Sequence, residues 1–165
     1  MKKTLIAALL AFSGAAALAA PTALAFDADN TAWLFSKPAA GSFVDEYTFE
    51  VPFAQSGFSG SFTTSLNGSR DIDFSSIYVT NGSTTLYNFV QTSTDATGSE
   101  QWTLSNAALS AGTTYHLFLA GTSAVAGTAY VGELSAVAAV PEPGTWAMAL
   151  AGLAAVGVLA RCRQH

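Results

Sequence analysis

Apolar and polar positions change rhythm twice along this chain, and each of the three resulting zones predicts a different kind of element. At the start, Lys2-Lys3 precede a continuous apolar stretch from Leu5 to Phe12, and small residues follow up to Ala23-Leu24-Ala25. Basic residues, an apolar stretch and a small-x-small site in that order form a secretory signal peptide. Cleavage after Ala25, read from Ala23 and Ala25, would leave Phe26 first. Ala17-Leu18-Ala19 is a competing site, but Pro21 breaks the helix ahead of the later one. At the other end, Gly144 to Ala160 is a run of 17 residues without a charge. That is about the minimum for a helix crossing a bilayer core about 30 Å thick. Trp146 near its start suits the headgroup level, and Arg161 and Arg163 close the far end as cytoplasmic cations.

Between these ends no 3.6-residue period persists. Gly, Ser, Thr and Asn punctuate short segments rich in aromatic and β-branched residues, which predicts an all-β domain. The candidate strands are Ala32 to Ser36, Phe43 to Phe53, Gly60 to Leu66, Asp71 to Thr80, Thr84 to Gln91, Gln101 to Ser105, Thr113 to Ala120 and Thr128 to Val137. Seven or eight short antiparallel strands suggest a β-sandwich or jelly roll. Asn67-Gly68 and Asn81-Gly82 supply residues that tolerate positive φ in tight turns. The chain thus divides into a signal peptide (1–25), a β-sandwich domain (26–139) and a C-terminal segment (140–165).

The second candidate strand is the most informative. Phe43, Asp45, Tyr47, Phe49, Val51 and Phe53 share one face, which is large and apolar apart from Asp45; Ser42, Val44, Glu46, Thr48 and Glu50 make the other, mostly polar face. A carboxylate pointing into a core must find a partner or become neutral. Arg70, Lys37, His116, a tyrosine hydroxyl or backbone N–H groups of a neighbouring turn could supply one. Alternatively, regular strand begins at Tyr47 and Asp45 lies in a wet turn. A structural role for Asp45 is favoured over ligand binding, because buried polar groups are usually satisfied internally.

Charge narrows the function. Residues 26–140 hold two basic residues, Lys37 and Arg70, against ten acids, a net of −8. Nucleic-acid binding needs a basic footprint, so this surface excludes it. The one cysteine, Cys162, lies in the basic tail, which leaves the exported part without disulfides or thiolate ligands. Neither a metal site nor any other cofactor is expected, since one histidine, His116, cannot build a zinc cage. Asp27, Asp29, Asn30, Asp71 and Asp73 offer hard oxygens but not the ligand run of a calcium loop. No Gly-x-Ser-x-Gly elbow or other catalytic constellation is present, and the expectation is a non-enzyme. Trp33, Trp102, Tyr78 and Tyr87 are candidates for a sugar-stacking platform, although aromatics at alternating strand positions more often face a core.

Val140-Pro141-Glu142-Pro143-Gly144, the short apolar helix and the tail Arg161-Cys162-Arg163-Gln164-His165 together resemble the PEP-CTERM sorting signal of Gram-negative bacteria. All three parts match in order over residues 140–165. The resemblance implies recognition of Pro141, Glu142 and Pro143 by exosortase, a membrane-embedded cysteine protease-transpeptidase, and removal of the tail near that motif. Phe43-x-Asp45-x-Tyr47 resembles the signature of the FxDxF group of PEP-CTERM proteins, with Tyr47 in place of the second Phe. Leu109-x-Ala111-Gly112-Thr113-x-Tyr115-x-Leu117-x-Leu119-x-Gly121-Thr122 and Tyr130-x-Gly132-x-Leu134 are similar to the final strands of such proteins. The expected life history is export by the secretion machinery, transient anchoring in the inner membrane facing the periplasm, processing by exosortase, and delivery to the cell surface or extracellular polysaccharide matrix. The alternative is a carbohydrate-binding module retained on exopolysaccharide through Trp33 or Trp102.

Overall fold

The computed structural model describes residues 20–64, 70–93, 99–139, 144 and 147–154. Ten strands follow one another: β1 (Thr22–Ala23), β2 (Thr31–Ser36), β3 (Gly41–Phe49), β4 (Ser56–Thr64), β5 (Ile72–Thr80), β6 (Thr85–Asn88), β7 (Val90–Ser93), β8 (Gln101–Leu109), β9 (Tyr115–Ser123) and β10 (Tyr130–Ala138). They form two five-stranded sheets, β1-β3-β9-β5-β6 and β2-β10-β4-β8-β7. Every pairing is antiparallel except that of β1 with β3, which is parallel. The expected all-β sandwich is therefore the fold.

Alternation places the core. Along β3 Tyr47 and Phe49 are buried, along β9 Tyr115, Leu117 and Leu119, and along β10 Tyr130, Leu134 and Ala136; these pack with Phe58 and Phe62 of β4. Phe49 of the first sheet stacks on Phe58 of the second at 5.1 Å. Apolar side chains lost to water on both inner faces supply the main driving force for closing the sandwich.

Two details of the strands depart from simple period-2 reading. Thr84 to Gln91 is not one strand: β6 belongs to the first sheet and β7 to the second, and buried Phe89 sits at the crossing, its N–H donating to Ile77 O. In β5 the register shifts between Phe74 and Ser76, a bulge that lets Ile72 and Phe74 face inward on one parity and Ile77 and Val79 on the other. β3 ends at Phe49 rather than Phe53, though Val51 is still buried, while β4 starts earlier and β8 runs longer than the pattern implied.

Gly132 on the inward face of β10 fits the core only because it lacks a side chain. A Cβ there would lie 2.2 Å and 2.4 Å from ring carbons of Phe62. Asn81-Gly82 forms the expected turn, with Gly82 at φ +104° and the Asn81 carboxamide accepting from Thr84 N–H. Asn67-Gly68, residues 1–19, Pro141 to Pro143, Trp146, Arg161 and Arg163 lie outside the described residues. Residues 147–154 are helical and exposed, with Met148, Leu150 and Leu153 at 65–75% exposure. Among the described residues no helix is long and apolar enough to cross a membrane.

Candidate functional site

The three motif positions on β3 converge at one end of the sandwich, where β10 and β5 begin and β2 ends. Phe43 stacks on Tyr130 at 6.0 Å and meets Phe74 edge-on. Phe74 in turn contacts the rings of Tyr130 and Trp102 edge-on. Edge-to-face pairs of this kind add about 0.5–1.5 kcal/mol each beyond their area. Asp45 points inward as its parity requires, and its Oδ2 accepts hydrogen bonds from Ser36 Oγ at 2.9 Å and from Tyr130 Oη. Tyr47 Oη lies 3.1 Å from Tyr130 Oη. Of the partners the sequence offered, a tyrosine hydroxyl is the one used, together with a serine.

The electrostatics follow from that geometry. Burial pushes the Tyr130 phenol far above its ordinary value, and its donation to the Asp45 carboxylate pushes it further. Tyr47 is also raised, chiefly by burial. Both phenols are thus held protonated, the opposite of what an activated nucleophile or base requires. The cluster ties β3 in one sheet to β2 and β10 in the other, so its chemistry is that of a clasp.

A second inter-sheet carboxylate went unnoticed in the sequence. Glu100, 6% exposed, precedes β8. One oxygen accepts from Phe74 N–H at 2.9 Å and Trp102 Nε1–H at 3.2 Å, the other from Gln91 Nε2 at 3.0 Å. Nothing in the local pattern marked it, because its partners come from β5, β7 and β8 and no alternation brackets it. Asp45 and Glu100 therefore flank one aromatic cluster formed by Phe43, Phe74, Tyr130 and Trp102.

The other candidates are dispersed. His116 points outward on β9 and pairs with Glu46 at 2.7 Å, away from Asp45. Among the described residues no three metal-ligating side chains come together. Of the four proposed stacking aromatics, Trp102 is half-buried with its indole N–H on Glu100, Tyr87 bonds the backbone of Ala108, and Tyr78 stacks on Phe118. Trp33 alone of the four is open, at 66% exposure, with Phe35 at 60% beside it on the outer face of edge strand β2. Val131 and Glu133 of β10 stand opposite Phe35 and Trp33. Ser59, Ser61, Thr103, Ser105 and Ser135 line a shallow groove on the same sheet with Glu133. Sequence reasoning missed Phe35, although its parity with Trp33 was visible.

The sandwich ends where the C-terminal segment begins. β10 closes at Ala138, and the next residue, Ala139, donates its N–H to Gln55 O at 2.9 Å. Residues 139–164 match the PEP-CTERM protein-sorting motif. No curated protein and no solved structure matches the chain significantly. The family resemblance read from Pro141, Glu142 and Pro143 thus has its counterpart in that match, and the chain is a β-sandwich protein carrying a PEP-CTERM protein-sorting motif.

Proposed function

We propose that this chain is a non-enzymatic exported protein which exosortase sorts and cleaves, releasing its β-sandwich as a component of the cell surface or extracellular polysaccharide matrix. The observation that carries this reading is the junction at Ala139: among the described residues, the last backbone bond of the sandwich and the first residue of the matched sorting motif coincide. The described residues beyond Pro143, 144 and 147–154, are all exposed, so a cut near Pro143 removes no described residue that the sandwich buries. In this account Pro141, Glu142 and Pro143 are the recognition element, Trp146 to Ala160 is the transient membrane helix, and Arg161 and Arg163 hold the tail in the cytoplasm. The helical, exposed apolar residues 147–154 support that use, since the described residues leave Met148, Leu150 and Leu153 mostly uncovered. Phe43, Asp45 and Tyr47 support placement in the FxDxF group, with a role in closing the sandwich. The test is Glu142→Ala in the native host: export should persist while uncut protein accumulates in the membrane, and normal release would count against the reading.

One observation favours the carbohydrate-binding alternative. Trp33 and Phe35 lie open on a sheet face, next to a groove of hydroxyl-bearing side chains. Aromatic rings with nearby hydroxyls suit the apolar face and the rim of a sugar ring. Saturable retention on exopolysaccharide that disappears in Trp33→Ala supports this second reading, and undiminished retention opposes it.

A further inference from the structure

The small-x-small pattern offers two leader cuts, after Ala19 and after Ala25, and residues 20–25 lie between them. In the folded protein that stretch is built into the sandwich. Thr22 and Ala23 form β1, in parallel register with Tyr47 and Thr48 of β3. Leu24 N–H donates to Thr48 O at 2.8 Å, and the Leu24 side chain packs against the core alongside Phe26, whose ring meets Phe49 edge-on at 6.2 Å. Ala20 and Thr22 line the same hollow as Ser36, Asp45, Glu46 and Tyr47.

From these contacts we infer that the leader is cut after Ala19, and that the exported protein begins at Ala20 and keeps β1. Water adds across the Ala19–Ala20 peptide bond, leaving a carboxylate on Ala19 and a new α-amino group on Ala20. Three observations converge on this site. A cut after Ala25 would discard β1 and leave the outer edge of β3 unpaired at Tyr47 and Thr48, the kind of open strand that invites pairing with other chains. A cut after Ala19 would place the new ammonium group at a hollow that the acidic residues Asp45 and Glu46 also line, which is electrostatically favourable. The Ala17-Leu18-Ala19 site also follows the apolar stretch Leu5 to Phe12 more closely than Ala23-Leu24-Ala25 does, as a cleavage site should. The inference rests on the export reading, because only an exported chain meets the leader peptidase.

The experiment is N-terminal sequencing and intact mass of the protein recovered outside the cytoplasm of its native host, for the wild type, Ala19→Glu and Ala25→Glu. A charged residue at the position before the cut blocks it. The inference expects Ala-Pro-Thr-Ala at the N-terminus of the wild type and of Ala25→Glu, with that species lost in Ala19→Glu. A wild type beginning Phe-Asp-Ala-Asp, or precursor accumulation in Ala25→Glu alone, overturns the inference and leaves export standing. A wild-type chain still starting at Met1 overturns both.

Discussion

Asp45 on β3 and Tyr130 at the start of β10, 85 residues apart in sequence, are joined between the two sheets by a hydroxyl-to-carboxylate hydrogen bond. The bond explains how a carboxylate can occupy the inward face of an otherwise apolar strand, and why Tyr47 and Ser36 gather around it. Removing either partner leaves the other polar group partly buried and short of a bond, which costs about 1–3 kcal/mol. Asp45→Ala and Tyr130→Phe should each lower stability by about 2 kcal/mol in urea unfolding, on the same ground. Because the two act through one bond, the double variant should lose clearly less than the sum; full additivity would deny the coupling.

The same clasp predicts an alkaline limit. Below the ordinary phenol value of 10.0, Tyr47 and Tyr130 are protonated in both folded and unfolded chains, and neither makes stability depend on pH. Above it, the unfolded chain releases these protons while the folded one retains them. Stability should therefore fall from about pH 10 upward by as much as about 1.4 kcal/mol per pH unit for each phenol. Unfolding measured between pH 8 and 12 checks this, with a shallower fall expected in Tyr130→Phe than in the wild type.

Gly132 makes a sharper structural test. It lies in a central strand, and the Phe62 ring occupies the space a side chain would take. Gly132→Ala should destabilise by about 2–3 kcal/mol or prevent folding, since relieving the overlap must displace Phe62 or the strand. Thermal unfolding compared with the wild type decides it, and an unchanged midpoint would contradict the close packing.

The two tryptophans of the sandwich should separate by function. Trp33 faces outward and Trp102 bonds Glu100. Trp33→Ala should change stability by no more than about 0.5 kcal/mol, as surface substitutions do. Trp102→Ala should cost about 3 kcal/mol, from lost ring packing and the loss of one of the two hydrogen bonds to a Glu100 oxygen, which keeps the one from Phe74 N–H. Chemical denaturation distinguishes them, and on the carbohydrate-binding reading only Trp33→Ala loses glycan retention while folded.

How far the sequence reveals this protein can be judged from individual residues. The β3 alternation, with Asp45 on the inward face, was legible because period 2 survives intact from Phe43 to Phe49. Tyr130-x-Gly132-x-Leu134 was visible as a pattern, but its reason, the Phe62 ring beneath Gly132, depends on a partner strand. Glu100 was illegible because its acceptor role is assembled from three strands, with donors two, nine and 26 residues away that no single alternation brings together. β1 was hidden for another reason: Thr22 and Ala23 lie within a stretch whose small residues also satisfy a leader cut. The split of β6 from β7 turns on Phe89, which alternation alone cannot place between sheets. The sorting segment, by contrast, needs no tertiary context, since a short linear motif and an apolar run carry its information.

The central claim is that exosortase removes the tail and leaves the sandwich whole. Intact-mass measurement of the C-terminus, on protein from surface, supernatant and membrane fractions of the native host, tests it most directly. The account predicts a surface or released species ending near Pro143, retaining Ala139 and lacking the apolar run and both arginines. Protein that keeps its tail through His165 and stays in the membrane in every fraction would contradict it, and would leave a β-sandwich anchored by its own C-terminal segment.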